Sequence, residues 1–173
     1  MLKNIIKKYK KKFYSPEKYA KFLGVKIGDN CLISTKRFPT EAYLIEIGDY
    51  CRIANNVAFY THGGLWSVRK KYNKKNLENF GKIKIGNYTY IGDDAKIMPG
   101  ITIGNNVIVG AGSIVTKSIP DNVICAGNPA KIVGNIDDFV NKIENFNIPI
   151  HGKSAKEKKK ILLALADNYF IRK

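Results

Sequence analysis

A six-residue period runs through the middle of the chain and constrains its fold more than any other feature. Aliphatic or aromatic residues recur at every sixth position in three blocks: Ile27 and Ile33; Ile47, Ile53 and Phe59; and Ile85, Ile91, Ile97, Ile103, Val109 and Val115. Glycine follows many of these positions and Asn or Asp comes next, and these residue types tolerate left-handed backbone angles in turns. A short β segment of this kind buries its apolar residue only by stacking on the next segment. The period therefore predicts a β solenoid.

The period is interrupted twice. Two extra residues enter around residues 38–41, and a longer excursion covers about residues 61–82. Insertions in solenoids cluster on one face and often carry function. We therefore expect functional side chains in the second interruption.

Helical patterns flank the repeats. Ser15-Pro16-Glu17 is typical of a helix start, and that helix is expected to end at Gly24. After the repeats, residues 137–145 predict a short helix, and a capping box at Ser154 predicts a last helix through about Tyr169. We divide the chain into an N-terminal helical segment, a solenoid domain and a C-terminal helical segment, over residues 1–24, 25–134 and 135–173.

The charge of the chain is concentrated at its ends. The 173 residues carry a formal net charge of +16, of which +8 lies in residues 1–26 and +5 in residues 151–173. Such a charge suggests a nucleic-acid or anionic membrane partner, but the nearly neutral middle shows no nucleic-acid motif. Two interpretations of the basic helices stay open. They cap the solenoid or pack between subunits, or the N-terminal one makes peripheral contact with an anionic membrane.

Cysteine and histidine usage predicts neither a disulfide framework nor a metal site. The three cysteines, Cys31, Cys51 and Cys125, form no CxxC pair, and a zinc carbonic anhydrase on a similar coil would need three histidines where this chain has two. The lysine-rich N-terminus does not resemble a signal peptide, and no apolar run is long enough to span a membrane. We expect a cytoplasmic protein without a metal.

The repeats and two further motifs resemble a known enzyme family. One motif is Gly110-Ala111-Gly112-Ser113-Ile114-Val115-Thr116-Lys117, followed by a second Gly-containing run through Lys131; the other is the pair Thr61-His62 with Trp66 and Arg69 downstream. Over about residues 24–134 the chain is similar to the hexapeptide-repeat acyltransferases, and most similar to small bacterial polysaccharide O-acetyltransferases. The resemblance implies an all-β solenoid, a left-handed parallel β-helix, and a homotrimer with active sites between neighbouring subunits.

The resemblance also implies a general base. His62 stands directly after a repeat strand, where an imidazole can accept a proton near neutral pH. Many relatives place Asp after this histidine, whereas this chain has Gly63. Glu41 is the nearest candidate to orient His62 or the acceptor, or it is an ordinary surface glutamate. The other histidine, His151, is read as an exposed linker residue.

The cofactor implied by the resemblance is acetyl-CoA, used as acyl donor. By motif position, small and basic residues line its pantetheine arm, Lys131 meets a phosphate and Asp93 makes a polar contact; the arm residues are Ala111, Gly112, Thr116 and Lys117. For the glycines, simple tight packing of the coil is the other interpretation. Trp66 is either a wall over the cofactor or acceptor, or an apolar anchor for the loop.

The resemblance therefore implies an acetyl-CoA-dependent O-acetyltransferase acting on a sugar hydroxyl of a surface polysaccharide or its precursor. His62 would act as general base in a direct transfer. Two alternatives stay open. One is N-acetylation of an amino sugar or xenobiotic by the same base. The other is a basic nucleic-acid-binding or scaffolding module, which steep salt-dependent DNA binding without CoA binding would favour.

Overall fold

The computed structural model of the chain describes residues 2–171. The chain forms two compact units, Met1–Ile136 and Asp137–Lys173. The outermost residues of the predicted flanking segments, Met1 and residues 172–173, lie outside the described part. Our division into three segments stays a prediction.

Three sheets of short strands build the first unit. Sheet A contains β1 (Lys26–Ile27), β3 (Ile45–Ile47), β6 (Ile83–Ile85) and β9 (Thr102–Ile103). Sheet B contains β2 (Leu32–Ile33), β4 (Arg52–Ile53), β7 (Tyr90–Ile91), β10 (Ile108–Val109), β12 (Val123–Gly127) and β13 (Ala130–Asn135). Sheet C contains β5 (Ala58–Phe59), β8 (Lys96–Ile97) and β11 (Ile114–Val115). All pairings are parallel except that of β12 with β13.

The chain visits sheets A, B and C in turn and then begins the next coil, so the unit is a parallel β solenoid with three sides. Register follows the period: Ile27 pairs with Ile47, and Ile47 with Ile85. Apart from the half-buried Ile27, every repeat position named above is buried. Because each inward side chain packs on those of the adjacent coils, the predicted stacking is confirmed. We call the turns between sheets the A–B, B–C and C–A corners.

The A–B corner requires a left-handed residue in each coil. Asn30, Asn106 and Asn122 take this conformation in three coils, whereas Tyr50 and Tyr88 take it in the second and third, with φ of 55° and 56°. Left-handed backbone costs a bulky L-residue about 1–2 kcal/mol, and a stacked aromatic pair returns about 0.5–1.5 kcal/mol. The two tyrosines therefore do not improve the stability of this corner over asparagine.

The cysteines lie in the core or at corners of the solenoid. Cys51 and Cys125 are buried and Cys31 is half-buried. The Cys51 thiol donates a hydrogen bond to the Gly86 carbonyl of the next coil at 3.0 Å. Burial raises the pKa of Cys51 to about 11, so this thiol stays protonated and unreactive at neutral pH.

The first interruption differs slightly from prediction. Arg37 bridges to Ala58 of sheet C, and the Phe38 ring stacks on Phe59 with centroids 5.4 Å apart. The third side of the first coil is thus reached after five residues from Ile33, not six. Phe38 thus takes the inward position that the period gives to the next residue. The extra residues follow it and include a 3-10 turn, Ala42–Leu44.

The second interruption leaves the solenoid between β5 and β6, at the C–A corner of the second coil. It contains a helix that the sequence did not lead us to predict, α3 (Leu65–Lys71). The Gly81 amide donates to the Thr61 carbonyl at 2.8 Å. This bond closes the base of the excursion, so residues on either side of it are held against the coil.

Two helices precede the solenoid: α1 (Leu2–Phe13) and α2 (Pro16–Phe22). Ser15 caps α2 and Gly24, at φ 93°, follows its end, as predicted. Tyr19 and Ala20 of α2 are buried and α2 packs against β2, so α2 covers the first coil. Four apolar residues of α1 are more than a third exposed: Ile5, Ile6, Tyr9 and Phe13.

The C-terminal helices are α4 (Ile136–Glu144) and α5 (Ala155–Ala164). The Ser154–Glu157 capping box is present. The last helix was predicted to run to about Tyr169, which is wrong: Leu165 is extended and Asp167–Tyr169 forms a separate 3-10 turn. Asp and Asn favour turns through local hydrogen bonds, which accounts for the early end. Within residues 2–171, every helix is too short or too polar to cross a bilayer.

Candidate active site

The C–A corner brings together three polar side chains of neighbouring coils. His62 Nε2 lies 2.9 Å from Glu41 Oε2. The Thr61 hydroxyl donates to the same carboxylate oxygen at 3.3 Å. The His62 side chain is 40% exposed and that of Glu41 is 19% exposed. The structure therefore unites the two residues predicted to share a catalytic role.

Local structure fixes each member of this cluster. Glu41 immediately precedes the 3-10 turn of the first coil, and His62 follows β5 of the second. Thr61 is fully buried, and the Phe80 ring lies 5.3 Å from the imidazole. The contacts of Thr61 with Glu41 and of Phe80 with His62 were not predicted. They depend on how the two interruptions pack, and no repeat position marks them.

This arrangement suits the imidazole to proton transfer. With Nε2–H donating to Glu41, Nδ1 keeps its lone pair and faces away from that bond. A carboxylate that fixes tautomer and ring orientation is a common partner of a histidine base. The cluster can therefore accept a proton from a hydroxyl placed beside Nδ1.

A pocket of about 400 Å³ adjoins His62. Aromatic and cationic side chains from α1 and the first two coils line it, among them Lys11, Arg37, Phe38, Tyr60 and His62. A volume of this size falls within the range of small-molecule sites. In the described residues, neither Lys11 nor Arg37 takes part in an ion pair.

On the other side of His62, the excursion forms a second hollow of about 210 Å³ lined by Trp66, Arg69 and Glu78. Arg69 pairs with Glu78 and is therefore not free for a ligand in this chain. Trp66 is 69% exposed on α3. Its two interpretations, an apolar anchor for the loop and a wall over the cofactor or acceptor, both stay predictions.

The predicted cofactor residues occupy several places on the solenoid. Asp93, Ala111 and Gly112 lie together at the B–C corner, and Lys131 lies on β13. Asp93 Oδ1 accepts hydrogen bonds from the amide nitrogen and the side-chain nitrogen of Asn55 at 2.7 and 3.1 Å. The Asp93 side chain therefore already supports the corner between coils.

Thr116 and Lys117 follow β11 at the C–A corner, the corner that carries His62. They belong to the fourth coil and His62 to the second, a separation of about 10 Å at the usual strand spacing. Within one chain, His62 thus shares a corner with Thr116 and Lys117 but not with Ala111 and Gly112.

Known proteins are similar to this chain both within the repeats and over most of its length. The family model described as bacterial transferase hexapeptide (six repeats) matches residues 82–117. The chain is 46% identical to Protein CapG of Staphylococcus aureus over 146 residues, which cover 82% of this chain and 83% of CapG.

Two solved structures are also similar. A maltose O-acetyltransferase from Clostridium difficile 630 is 36% identical with a TM-score of 0.58, over 65% of this chain and 59% of that one. The hexapeptide-repeat containing acetyltransferase VCA0836 of Vibrio cholerae O1 biovar eltor, complexed with acetyl-CoA, is 26% identical with a TM-score of 0.54, over 65% and 61%. The chain thus spans about three fifths of each solved chain. With the relatedness to CapG and the repeats of the solenoid, these likenesses show that the chain is an acyltransferase of the bacterial hexapeptide-repeat transferase family.

Proposed function

We propose that the chain is an acetyl-CoA-dependent O-acetyltransferase that modifies a sugar hydroxyl of a surface polysaccharide or its precursor. The observation that carries the proposal is the His62–Glu41 pair at 2.9 Å beside an open pocket. The maltose O-acetyltransferase and the acetyl-CoA complex among the similar structures support the acceptor class and the donor.

In the proposed reaction, His62 Nδ1 takes the proton of the sugar hydroxyl. The oxygen attacks the thioester carbon of acetyl-CoA, and an acetyl ester forms as the carbon–sulfur bond breaks. The leaving thiolate receives the proton from the imidazolium, so no acyl-enzyme intermediate forms. In the Gly110–Gly112 turn, the Gly110 and Gly112 amides already donate to the Cys125 and Asp93 carbonyls, so the Ala111 amide would donate the hydrogen bond to the tetrahedral oxyanion.

Glu41 is proposed as the residue that positions His62. Glu41→Gln keeps the shape of the side chain but presents an amide to Nε2, which favours the wrong tautomer. We expect kcat to fall about 10²-fold or more, as in other histidine bases deprived of their carboxylate. The KM for acetyl-CoA should not change, because the side-chain contacts of Glu41 within the described residues are with Thr61 and His62.

The matched control is Glu17→Gln, which removes a half-buried carboxylate that pairs with Lys21 on α2. It should leave kcat unchanged. If Glu41→Gln and Glu17→Gln behaved alike in a steady-state transfer assay, the positioning role would be wrong.

The acetyl-CoA site is proposed at the predicted residues Asp93, Ala111, Gly112, Thr116 and Lys117, with Lys131 at a phosphate and Trp66 as a wall. Lys117 and Lys131 are exposed and in no ion pair within the described residues. Lysine binds phosphate as a point charge.

Lys117→Gln and Lys131→Gln are each expected to raise the KM for acetyl-CoA about tenfold, because each removes one charge-assisted contact with a phosphate. At saturating acetyl-CoA, kcat should be kept. The exposed Lys142 gives a control, Lys142→Gln, with the same charge change. Equal KM values for all three variants in a titration of acetyl-CoA would place the phosphates elsewhere.

A homotrimer of left-handed coils is part of the proposal. His62 lies at the C–A corner and Ala111 and Gly112 at the B–C corner, so a site that unites them needs a neighbouring copy. Closed symmetry suits a three-sided coil. Sedimentation equilibrium of the full chain should give three times the 19.4 kDa monomer mass, and a monomer that is fully active would exclude a shared site.

We further propose a cytoplasmic location in which α1 contacts an anionic membrane. The exposed Ile5, Tyr9 and Phe13 alternate with lysines, as in helices that lie in a lipid interface. Flotation with vesicles containing 30 mol% anionic lipid, expected to weaken with salt, tests this contact. Equal flotation with neutral vesicles would point to apolar packing instead.

The test of the activity is release of free CoA thiol from acetyl-CoA in the presence of a panel of sugars and amines. We expect release that depends on a hydroxyl acceptor. Release that depends only on amines would indicate N-acetylation. Salt-dependent DNA binding with no release for any acceptor would favour the nucleic-acid module.

A further inference from the structure

Two exposed tyrosines form a stack that the proposed reaction does not use. Tyr50 and Tyr88 lie at the A–B corner of adjacent coils, with ring centroids 5.0 Å apart and planes 5° from parallel. Their exposed fractions are 54% and 62%. The pair thus presents a flat aromatic surface with two hydroxyls to the solvent.

The backbone under this pair is unfavourable for tyrosine. The described residues include eight non-glycine residues with positive φ, of which six are Asn or Asp and the other two are Tyr50 and Tyr88. At the same corner, Asn106 donates a side-chain hydrogen bond to Asn122 at 2.9 Å. Asparagine therefore satisfies this corner in other coils, and the strained tyrosines need a reason other than folding.

Resting on the proposed function, we propose that Tyr50 and Tyr88 are a binding platform for sugar rings of the acceptor glycan, outside the pocket at His62. A pyranose ring has an apolar face of C–H groups and a rim of hydroxyls. The aromatic face of a tyrosine can pack on those C–H groups, and its phenol hydroxyl can hydrogen-bond with the sugar hydroxyls. The ligand class is thus an oligosaccharide or polysaccharide.

The position of the platform indicates how such a chain would run. One side of the solenoid, sheet A, separates the A–B corner from the C–A corner that carries His62. From Ile45 to Tyr50 the backbone spans at most about 18 Å. The outward side chains along this side are polar: Lys26, Glu46, Lys84 and Thr102. A glycan of several sugars can therefore reach from the tyrosine platform to His62. The polar side chains of sheet A would offer it hydrogen-bonding groups along the way.

The test is length-dependent binding. Calorimetry is done with two hexasaccharides, maltohexaose and a hyaluronan hexasaccharide, and with the corresponding disaccharides. The wild-type chain should bind at least one hexasaccharide tenfold or more tightly than its disaccharide. In the double variant Tyr50→Asn/Tyr88→Asn this preference should fall to twofold or less, while the melting temperature stays equal or rises because asparagine fits the left-handed corner.

Two control variants and the oligomeric state of the double variant make the outcome decisive. Tyr169→Asn, at an exposed tyrosine of the second unit, should keep the length preference. His62→Ala should also keep it, so loss of transfer in that variant does not bear on the platform. The proposal is overturned if the wild-type chain shows no length preference for either glycan, or if the double variant keeps it. It is equally overturned if the double variant changes the oligomeric state, because the tyrosines would then be an interface between copies.

Discussion

Replacing His62 with alanine should lower kcat for acetyl transfer by about 10²- to 10⁴-fold, the usual contribution of a general base. The physical reason is that Glu41 occupies only Nε2, leaving Nδ1 to take the hydroxyl proton. Removing the imidazole leaves the donor and acceptor sites in place. The KM for acetyl-CoA and the melting temperature should therefore stay near the wild-type values, since His62 is exposed.

The chain supplies its own control for this prediction. His151 is the other histidine and is exposed in the second unit. His151→Ala should transfer acetyl groups at the wild-type rate. If His62→Ala kept more than about a tenth of the wild-type kcat, a general base at this position would be excluded.

Replacing Gly86 with alanine should destabilise the solenoid by about 3 kcal/mol, at the upper end for an overpacked site. A Cβ on Gly86 would lie 2.6 Å from the Gly104 carbonyl carbon and 2.7 Å from the Asn105 nitrogen. Both are backbone atoms of the next coil and cannot rotate away. The corner must shift, which separates stacked coils that share one core. A fall in melting temperature of about 6–12 °C should follow.

Gly134 provides the matched glycine. A Cβ there meets nothing within 4 Å. Gly134→Ala should leave stability unchanged or raise it slightly, because alanine reduces the freedom of the unfolded chain. If Gly86→Ala and Gly134→Ala had the same melting temperature, the coils would not be stacked as closely at the A–B corner as described.

The solenoid was predictable because its physics is local. In each six-residue repeat, the apolar residue marks the inward position and the Gly and Asn or Asp residues mark the turn. The inward positions from Ile27 to Val115 can therefore be found by counting residues in sixes. The same rule fails at Phe38, which takes the inward position on the third side of the first coil five residues after Ile33, with the extra residues placed after it. It also gives no information on α3, whose sequence Leu65–Lys71 lies outside the repeats.

The candidate site was predictable only in part. His62 is marked by its place after a repeat strand and by the family motif. Its contact with Glu41 joins residues from two interruptions in different coils, so it depends on how both pack. Thr61 belongs to the family motif, but its contact with Glu41, like the contact of Phe80 with His62, has no sequence signal for the same reason. The tyrosine platform was missed because the period describes inward residues, and Tyr50 and Tyr88 point outward.

The fate of a labelled acetyl group tests the central claim most directly. The wild-type chain is incubated with acetyl-CoA labelled in the acetyl carbon, with and without sugar acceptors, and protein and product are analysed by mass spectrometry. Direct transfer to a hydroxyl predicts an unlabelled protein and a labelled sugar ester that mild alkali cleaves. A labelled protein, or an alkali-stable acetamide as the only product, would contradict it.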